Sequence, residues 1–153
     1  MDLRAAETPA DFEIARELFR EYAQTPGVTV CVAGFQDELA SLESVYETVV
    51  LVYHDGSPVG CGALRGLAGG AAEMKRLYVR PSFRGMKAGG ALAQWLIEAA
   101  KDRGYAALRL DTLPSMEAAQ ALYRSLGFQV IPTYSEANPP EAICYELRLR
   151  VAE

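Results

Sequence analysis

The run Arg84-Gly85-Met86-Lys87-Ala88-Gly89-Gly90 sets two cations among three glycines, directly before an apolar repeat of helical period. The first turn of a helix leaves about four backbone N–H groups without partners, and the aligned peptide dipoles put partial positive charge at the same place. Glycines there remove Cβ atoms that would keep an oxygen off the backbone, and Arg84 and Lys87 supply charge. The chemistry on offer is capture of an anion such as a diphosphate. At roughly 1.5–3 kcal/mol for each charge-assisted hydrogen bond, several together would hold one. The run is not GxxxxGK[ST], nor GxGxxG with an acid about 20 residues on, which disfavours a Walker-type or a dinucleotide site. A glycine-rich turn can also serve only close helix packing, and these seven residues alone leave that alternative open.

Other chemistries find little support. Cys31, Cys61 and Cys144 are odd in number, far apart and free of any CxxC pair, and His54 is the one histidine. Neither a disulfide framework nor a metal site is expected. Cys61 and Cys144 fall in strand patterns with no histidine nearby to activate them, so they are expected to be buried rather than nucleophilic. His54 sits at a turn and is expected at the surface.

The elements that must position the glycine run can be read from periodicity and punctuation. Thr8, Pro9 and Asp11 form a helix start, followed by Phe12, Ala15, Phe19 and Tyr22 at helical spacing and a stop at Thr25-Pro26-Gly27. Residues 28–46 read as loop-rich with some helix. Strands are expected over 48–54, 59–67 and 72–79 as an antiparallel meander, separated by DGSP and AGG turns. Alternation along the third puts Glu73, Lys75, Leu77 and Val79 on one face. Ala88, Ala91, Leu92, Trp95, Leu96 and Ala99 mark a helix that Gly104 ends, and a strand follows over 107–112. A second helix, capped by Ser115, has the face Ala119, Leu122, Tyr123 and Leu126 and ends at Gly127. Strands over 128–131 and 143–150 complete the chain. This order predicts an α/β (α+β) fold with a mixed, mostly antiparallel central sheet, flanking helices and one strand-helix-strand crossover. The crossover puts the glycine run where a strand ends and a helix begins.

At 153 residues, half of them hydrophobic, the chain suits a single domain over 1–153. No apolar run nears the roughly 20 residues of a membrane span, and the start MDLRAAETPADF does not resemble a secretory signal, so a reducing cytoplasm is the expected location. The net charge of −5 argues against a nucleic-acid surface and for a cationic small substrate. Residues 73–87 hold five cations, Lys75, Arg76, Arg80, Arg84 and Lys87, against the single anion Glu73, a local +4 within an otherwise acidic chain.

EMKRLYVRPSFRGMKAGGALAQWLIEAAKDRGY, from Glu73 to Tyr105, resembles the acyl-CoA-binding motif of the GNAT superfamily of N-acetyltransferases, R-x-x-G-x-G/A after a strand ending in valine. Here it reads Arg84, Gly85, Met86, Lys87, Ala88, Gly89, with Lys87 where glycine is usual. RLDTLPSMEAAQALYRSLGF is similar to the family's later segment in Ala119, Leu122, Tyr123, Gly127 and Phe128. Met116 stands where asparagine is frequent. The resemblance covers roughly residues 4–149. It implies the GNAT fold and transfer of an acetyl group from acetyl-CoA to the amine of a small molecule or peptide, with both substrates bound together and no metal. It also implies a cofactor-binding set of Leu77, Tyr78, Val79, Arg84, Gly85, Met86, Lys87, Ala88, Gly89 and Gly90. A homodimer fits family habit.

Within that resemblance, Glu73 takes the place of a catalytic glutamate and Tyr123 that of the general acid. An alkyl ammonium with pKa near 10.4 is neutral in only about 1 of 2,500 molecules at pH 7, a penalty of ~4.6 kcal/mol that a base relieves. A leaving thiol with pKa near 8.5 costs only ~2 kcal/mol as thiolate, so the acid has less to supply. Glu73 in a salt bridge to Lys75 or Arg76 or as an exposed acid at a strand end, and Tyr123 as a core tyrosine, are the structural alternatives. A non-catalytic acyl-CoA-binding module and a transferase of another acyl group remain the competing functions. Phe35, Gln36, Glu38, Tyr46, Tyr134 and Asn138 are expected to border the acceptor pocket.

Overall fold

The computed structural model describes residues 1–25, 28 and 32–149; Pro26, Gly27, Cys31 and the end of the expected last strand lie outside the described residues. Thr8 Oγ1 accepts the Asp11 N–H at 3.1 Å while Asp11 Oδ2 accepts the Thr8 N–H at 3.1 Å. This capping box, with Pro9 at the first helical position, starts α1 (Pro9–Ala23). Two short helices, α2 (Val32–Ala40) and α3 (Leu42–Val45), fill most of the segment read as loop-rich.

Among the described residues, seven strands form one sheet in the order β1-β2-β3-β4-β5-β7-β6. They are β1 (Asp2–Ala5), β2 (Thr48–His54), β3 (Ser57–Gly66), β4 (Ala71–Val79), β5 (Ala107–Thr112), β6 (Gln129–Ile131) and β7 (Ile143–Arg148). Every neighbouring pair is antiparallel except β4 with β5, which are joined through the crossover helix α4 (Ala88–Asp102). The meander β2-β3-β4 is as expected. β1 was not: its four residues, DLRA, carry too little apolar pattern to signal a strand, and pairing with β2 creates it.

Both later helices end as their glycines foretold. Gly104 has φ 80°, and Tyr105 N–H donates to Ala100 O at 3.1 Å and Gly104 N–H to Lys101 O at 2.9 Å. Gly127 has φ 98° and closes α5 (Glu117–Ser125) with the equivalent pair, Phe128 N–H to Tyr123 O and Gly127 N–H to Arg124 O, both at 3.0 Å. The start of α5 differs from expectation. Its N-cap residue is Met116, with no side-chain cap hydrogen bond, and Ser115 does not serve.

The sheet divides two apolar clusters. Val50, Val52, Leu64, Met74, Leu108 and Leu110 meet α4 and α5 on one side; Val49, Leu51, Cys61, Ala63 and Tyr78 meet α1 to α3 on the other. Leu77 and Val79 belong to the α4 side, opposite to Glu73 and Lys75, which corrects the expected alternation. A bulge is the reason. Register is lost between Cys61 and Ala63 of β3, and Arg76 takes φ 60°, inserting one extra residue into β4 and reversing every side chain after it.

Candidate active site

Pro81–Phe83 form a single 3-10 turn after β4, and the chain then reverses through Gly85 at φ 87° and Lys87 at φ 65° into α4. Among the described residues, no carbonyl or side chain accepts a hydrogen bond from the amides of Gly85, Met86, Lys87, Ala88, Gly89 or Gly90. The helical ladder begins with Ala91 N–H donating to Lys87 O at 3.1 Å. Six consecutive donors therefore stand free where the helix dipole is positive.

A Cβ at Gly89 or Gly90 would lie 3.7 or 3.6 Å from Leu122, which is ordinary contact, and one at Gly85 would meet nothing within 4 Å. Packing does not demand glycine at 89 or 90, and each costs the helix roughly 0.5–1 kcal/mol relative to alanine. What the bare backbone offers instead is close approach to an anion. Contrast Gly60, where a Cβ would stand 2.7 Å from Tyr78 O; there the fold itself requires glycine.

The basic cluster separates into two groups. Arg76 is bidentate to Glu38, with Nε and Nη2 at 2.9 and 2.8 Å from the carboxylate, and Arg80 Nη2 lies 2.7 Å from Glu21 Oε2. Arg84 Nε donates to Val79 O at 3.0 Å, and Lys87 is exposed with no ion pair among the described residues. Uncompensated positive charge is thus concentrated beside the free amides.

Next to this loop, β4 and β5 separate. Their parallel register holds for Ala71 with Ala107, Ala72 with Leu108 and Glu73 with Arg109, and then ends. From Met74 onward the β5-facing edge of β4 has no strand partner, including Leu77, Tyr78 and Val79. Tyr78 lies on the α1 side, its hydroxyl donating to Glu21 Oε1 at 3.1 Å.

Glu73 closes the bottom of that split. It is 2 % exposed, accepts from Arg65 Nε at 2.7 Å on one oxygen, and accepts from the Tyr134 hydroxyl on the other. Its salt bridge runs to Arg65, directly opposite on β3, and not to Lys75 or Arg76. Across the sheet, Arg65, Glu73, Arg109 and Glu146 occupy one row of paired positions with alternating sign, and Arg109 Nε donates to Glu146 Oε2 at 2.8 Å. The Arg109 guanidinium stands 5.6 Å from the Tyr134 ring centre. Burial, and then the Glu73 carboxylate, push the Tyr134 phenol well above its ordinary pKa.

Tyr123 projects from α5 and is buried, its ring 5.7 Å from Phe128 and 6.1 Å from Tyr145. Its hydroxyl makes no hydrogen bond with any described residue, and no fully enclosed side-chain oxygen among them lacks a partner, so this hydroxyl opens on accessible space. Burial raises its pKa well above the ordinary value, and Tyr22 and Asp111 add to the rise. Cys61 and Cys144 are buried, and burial pushes both thiols up, so neither is a ready nucleophile.

Of the residues expected around an acceptor pocket, Tyr134 is hydrogen-bonded to Glu73 of β4 and Asn138 to Asp111 of β5. Asn138 Nδ2 donates to Asp111 Oδ2 at 2.7 Å and its Oδ1 accepts from Ser135 N–H at 3.0 Å. Phe35 and Tyr46 instead lie in the core, and Glu38 is engaged with Arg76. Sequence reasoning passed over Arg65, Arg109 and Asp111, which become site residues only through pairing of strands far apart in the chain.

The model of the acetyltransferase (GNAT) family matches residues 12–128. An uncharacterized N-acetyltransferase of Schizosaccharomyces pombe is 34% identical over 97% of this chain and 95% of its own length. A crystal structure of a proposed acyl-CoA N-acyltransferase from Klebsiella pneumoniae superposes with TM-score 0.74 at 28% identity, covering 97% of each chain. A Salmonella typhimurium structure solved with its cofactor acetyl-CoA shares the fold, with TM-score 0.75 at 20% identity over 100% of this chain and 96% of that one. With three quarters of its length matched and a relative aligned end to end, the chain belongs to the acetyltransferase (GNAT) family of N-acetyltransferases.

Proposed function

We propose that the chain transfers an acetyl group from acetyl-CoA to an amine, with both bound at once in the split between β4 and β5. The observation that carries this reading is the set of six unpartnered amides from Gly85 to Gly90 at the mouth of that split. They bind the diphosphate, aided by Arg84 and Lys87, and the free edge of β4 at Leu77, Tyr78 and Val79 receives the pantetheine arm by β-type pairing. A C–N bond forms at the thioester carbonyl as the C–S bond breaks; the amine loses a proton to the base, and CoA leaves as the thiolate, which water then protonates.

Glu73 is the base. Because both of its oxygens are engaged and it is buried, it works through Tyr134, which passes its hydroxyl proton to Glu73 as it takes one from the amine. Tyr123 serves the leaving sulfur. A phenol raised above 10 cannot favourably give its proton to a thiolate whose conjugate pKa is near 8.5; full transfer is uphill by ~2 kcal/mol or more. Tyr123 therefore stabilises the sulfur by hydrogen-bond donation.

Calorimetric titration with CoA and with pantetheine tests the cradle. CoA binds and pantetheine, which lacks the diphosphate, does not; equal affinities would show that the amides are not used. Thiol release from acetyl-CoA over a panel of amines tests turnover, and binding without release from any of them favours a sensor module. Lys87 gives a further expectation, because a lysine at φ 65° carries ~1–2 kcal/mol of backbone strain. Lys87→Gly raises stability by about 1 kcal/mol and weakens CoA binding at low salt, while Lys87→Ala weakens binding without the gain. Urea unfolding and titrations at two ionic strengths measure both.

A further inference from the structure

Outside the diphosphate cradle, the charged side chains on the α1 side of β3, β4, β5 and β7 fall almost entirely into closed pairs. Arg65 meets Glu73 at 2.7 Å, Arg76 meets Glu38 at 2.8 Å and Arg109 meets Glu146 at 2.8 Å. Lys75 and Asp111 are left over. Glu73 and Arg109 are the last paired residues of β4 and β5, and two positions further on each strand, on the same face, come Lys75 and Asp111. They oppose each other across the opening of the split, with no ion pair within 4 Å between them or from either to another described residue. Asp111 is held in place by Asn138 Nδ2 on one oxygen, which leaves the other free to accept.

We propose that the acceptor is an amine carrying its own carboxylate, an α-amino acid, whose nitrogen is held by Asp111 and whose carboxylate pairs with Lys75. This rests on the acetyl-transfer reading above and names its second substrate. Burial holds the Lys75 ammonium below its ordinary pKa although the Glu73 and Asp111 carboxylates pull the other way, and the substrate carboxylate supplies a direct counter-ion. A polyamine would bring a second cation against Lys75, and a peptide amino terminus would bring a neutral amide. Paired strands stand ~5 Å apart and these two diverge from there, a width suited to the short span between the amine and carboxylate of one α-carbon.

The test compares thiol release from acetyl-CoA with each of the twenty proteinogenic amino acids, the carboxamide of each, spermidine and a tripeptide amide. The best amino acid exceeds its own carboxamide in kcat/KM by roughly thirtyfold or more, as expected where a site's buried charge is left unpaired by the analogue. Lys75→Met brings that ratio toward one, and Lys75→Arg restores most of it. A wild-type ratio near one, or a ratio unmoved by Lys75→Met, overturns the proposal. Release with spermidine or the tripeptide amide but with no amino acid overturns it while acetyl transfer stands; release with nothing overturns both. Calorimetric binding of the best amino acid to the protein–CoA complex gives a readout without turnover, in which Lys75→Met weakens binding of the acid and not its enthalpy-matched carboxamide control.

Discussion

Glu73→Gln lowers kcat for acetyl transfer by about 10²–10⁴, the usual range for loss of a positioned base. The substitution keeps shape and changes only the charge and its capacity to take a proton. Arg65, its partner, is 32% exposed, so water replaces the lost pairing and the fold survives. On the proposed relay from Glu73 through the Tyr134 hydroxyl, Tyr134→Phe costs a similar factor, and the double variant is hardly worse than either alone. Such non-additivity marks two groups acting as one device. The pH profile of kcat/KM separates the relay from simple support, since the limb reporting the base vanishes in both single variants. Two independent, multiplicative losses, or a full-rate Tyr134→Phe enzyme, would show that Glu73 does not act through the tyrosine.

Glu38→Ala costs the fold ~3–5 kcal/mol, the penalty of stranding one member of a buried ion pair. Both side chains of the Arg76–Glu38 pair are 12% exposed, and the guanidinium also lies 5.3 Å from the Phe35 ring centre and 5.8 Å from that of Tyr22. Removing Glu38 leaves a positive charge among aromatic rings at the bulge of β4. Urea unfolding measures the loss as a lower midpoint with an unchanged slope. The sign with pH follows from Glu38, whose pKa burial would raise but which the Arg76 guanidinium brings below its ordinary value of 4.5. A depressed folded pKa contributes stability above the unfolded value and loses it as pH falls through the folded one. Wild type therefore loses this contribution below about pH 4.5, and Glu38→Ala shows a flatter acid limb. A midpoint close to wild type would mean that water reaches Arg76 freely.

Much of this fold was legible because the punctuation is local. The Thr8-Pro9-Asp11 start, the Gly104 and Gly127 stops and the turns between β2, β3 and β4 depend on residues close in sequence. The glycine run that carries the unpartnered amides stood out for the same reason. Alternation failed in β4, because Arg76 takes a positive φ at the bulge and nothing in LYV announces the extra residue. The charge of Lys87 is plain in the sequence; its left-handed backbone shows only in three dimensions. The partners of Glu73 were invisible for a different reason. Tyr134 is 61 residues away and Arg65 arrives by strand pairing, so only the assembled sheet could show that the carboxylate is doubly engaged.

Three register pairs are all that stitch β4 to β5, so the sheet is in mechanical terms two leaves sharing a short spine, with α4 as the strap that bridges them. A molecule seated between the leaves touches both and resists their opening. Its arrival should slow deuterium uptake along the whole of β5 and β7, including amides far from any direct contact.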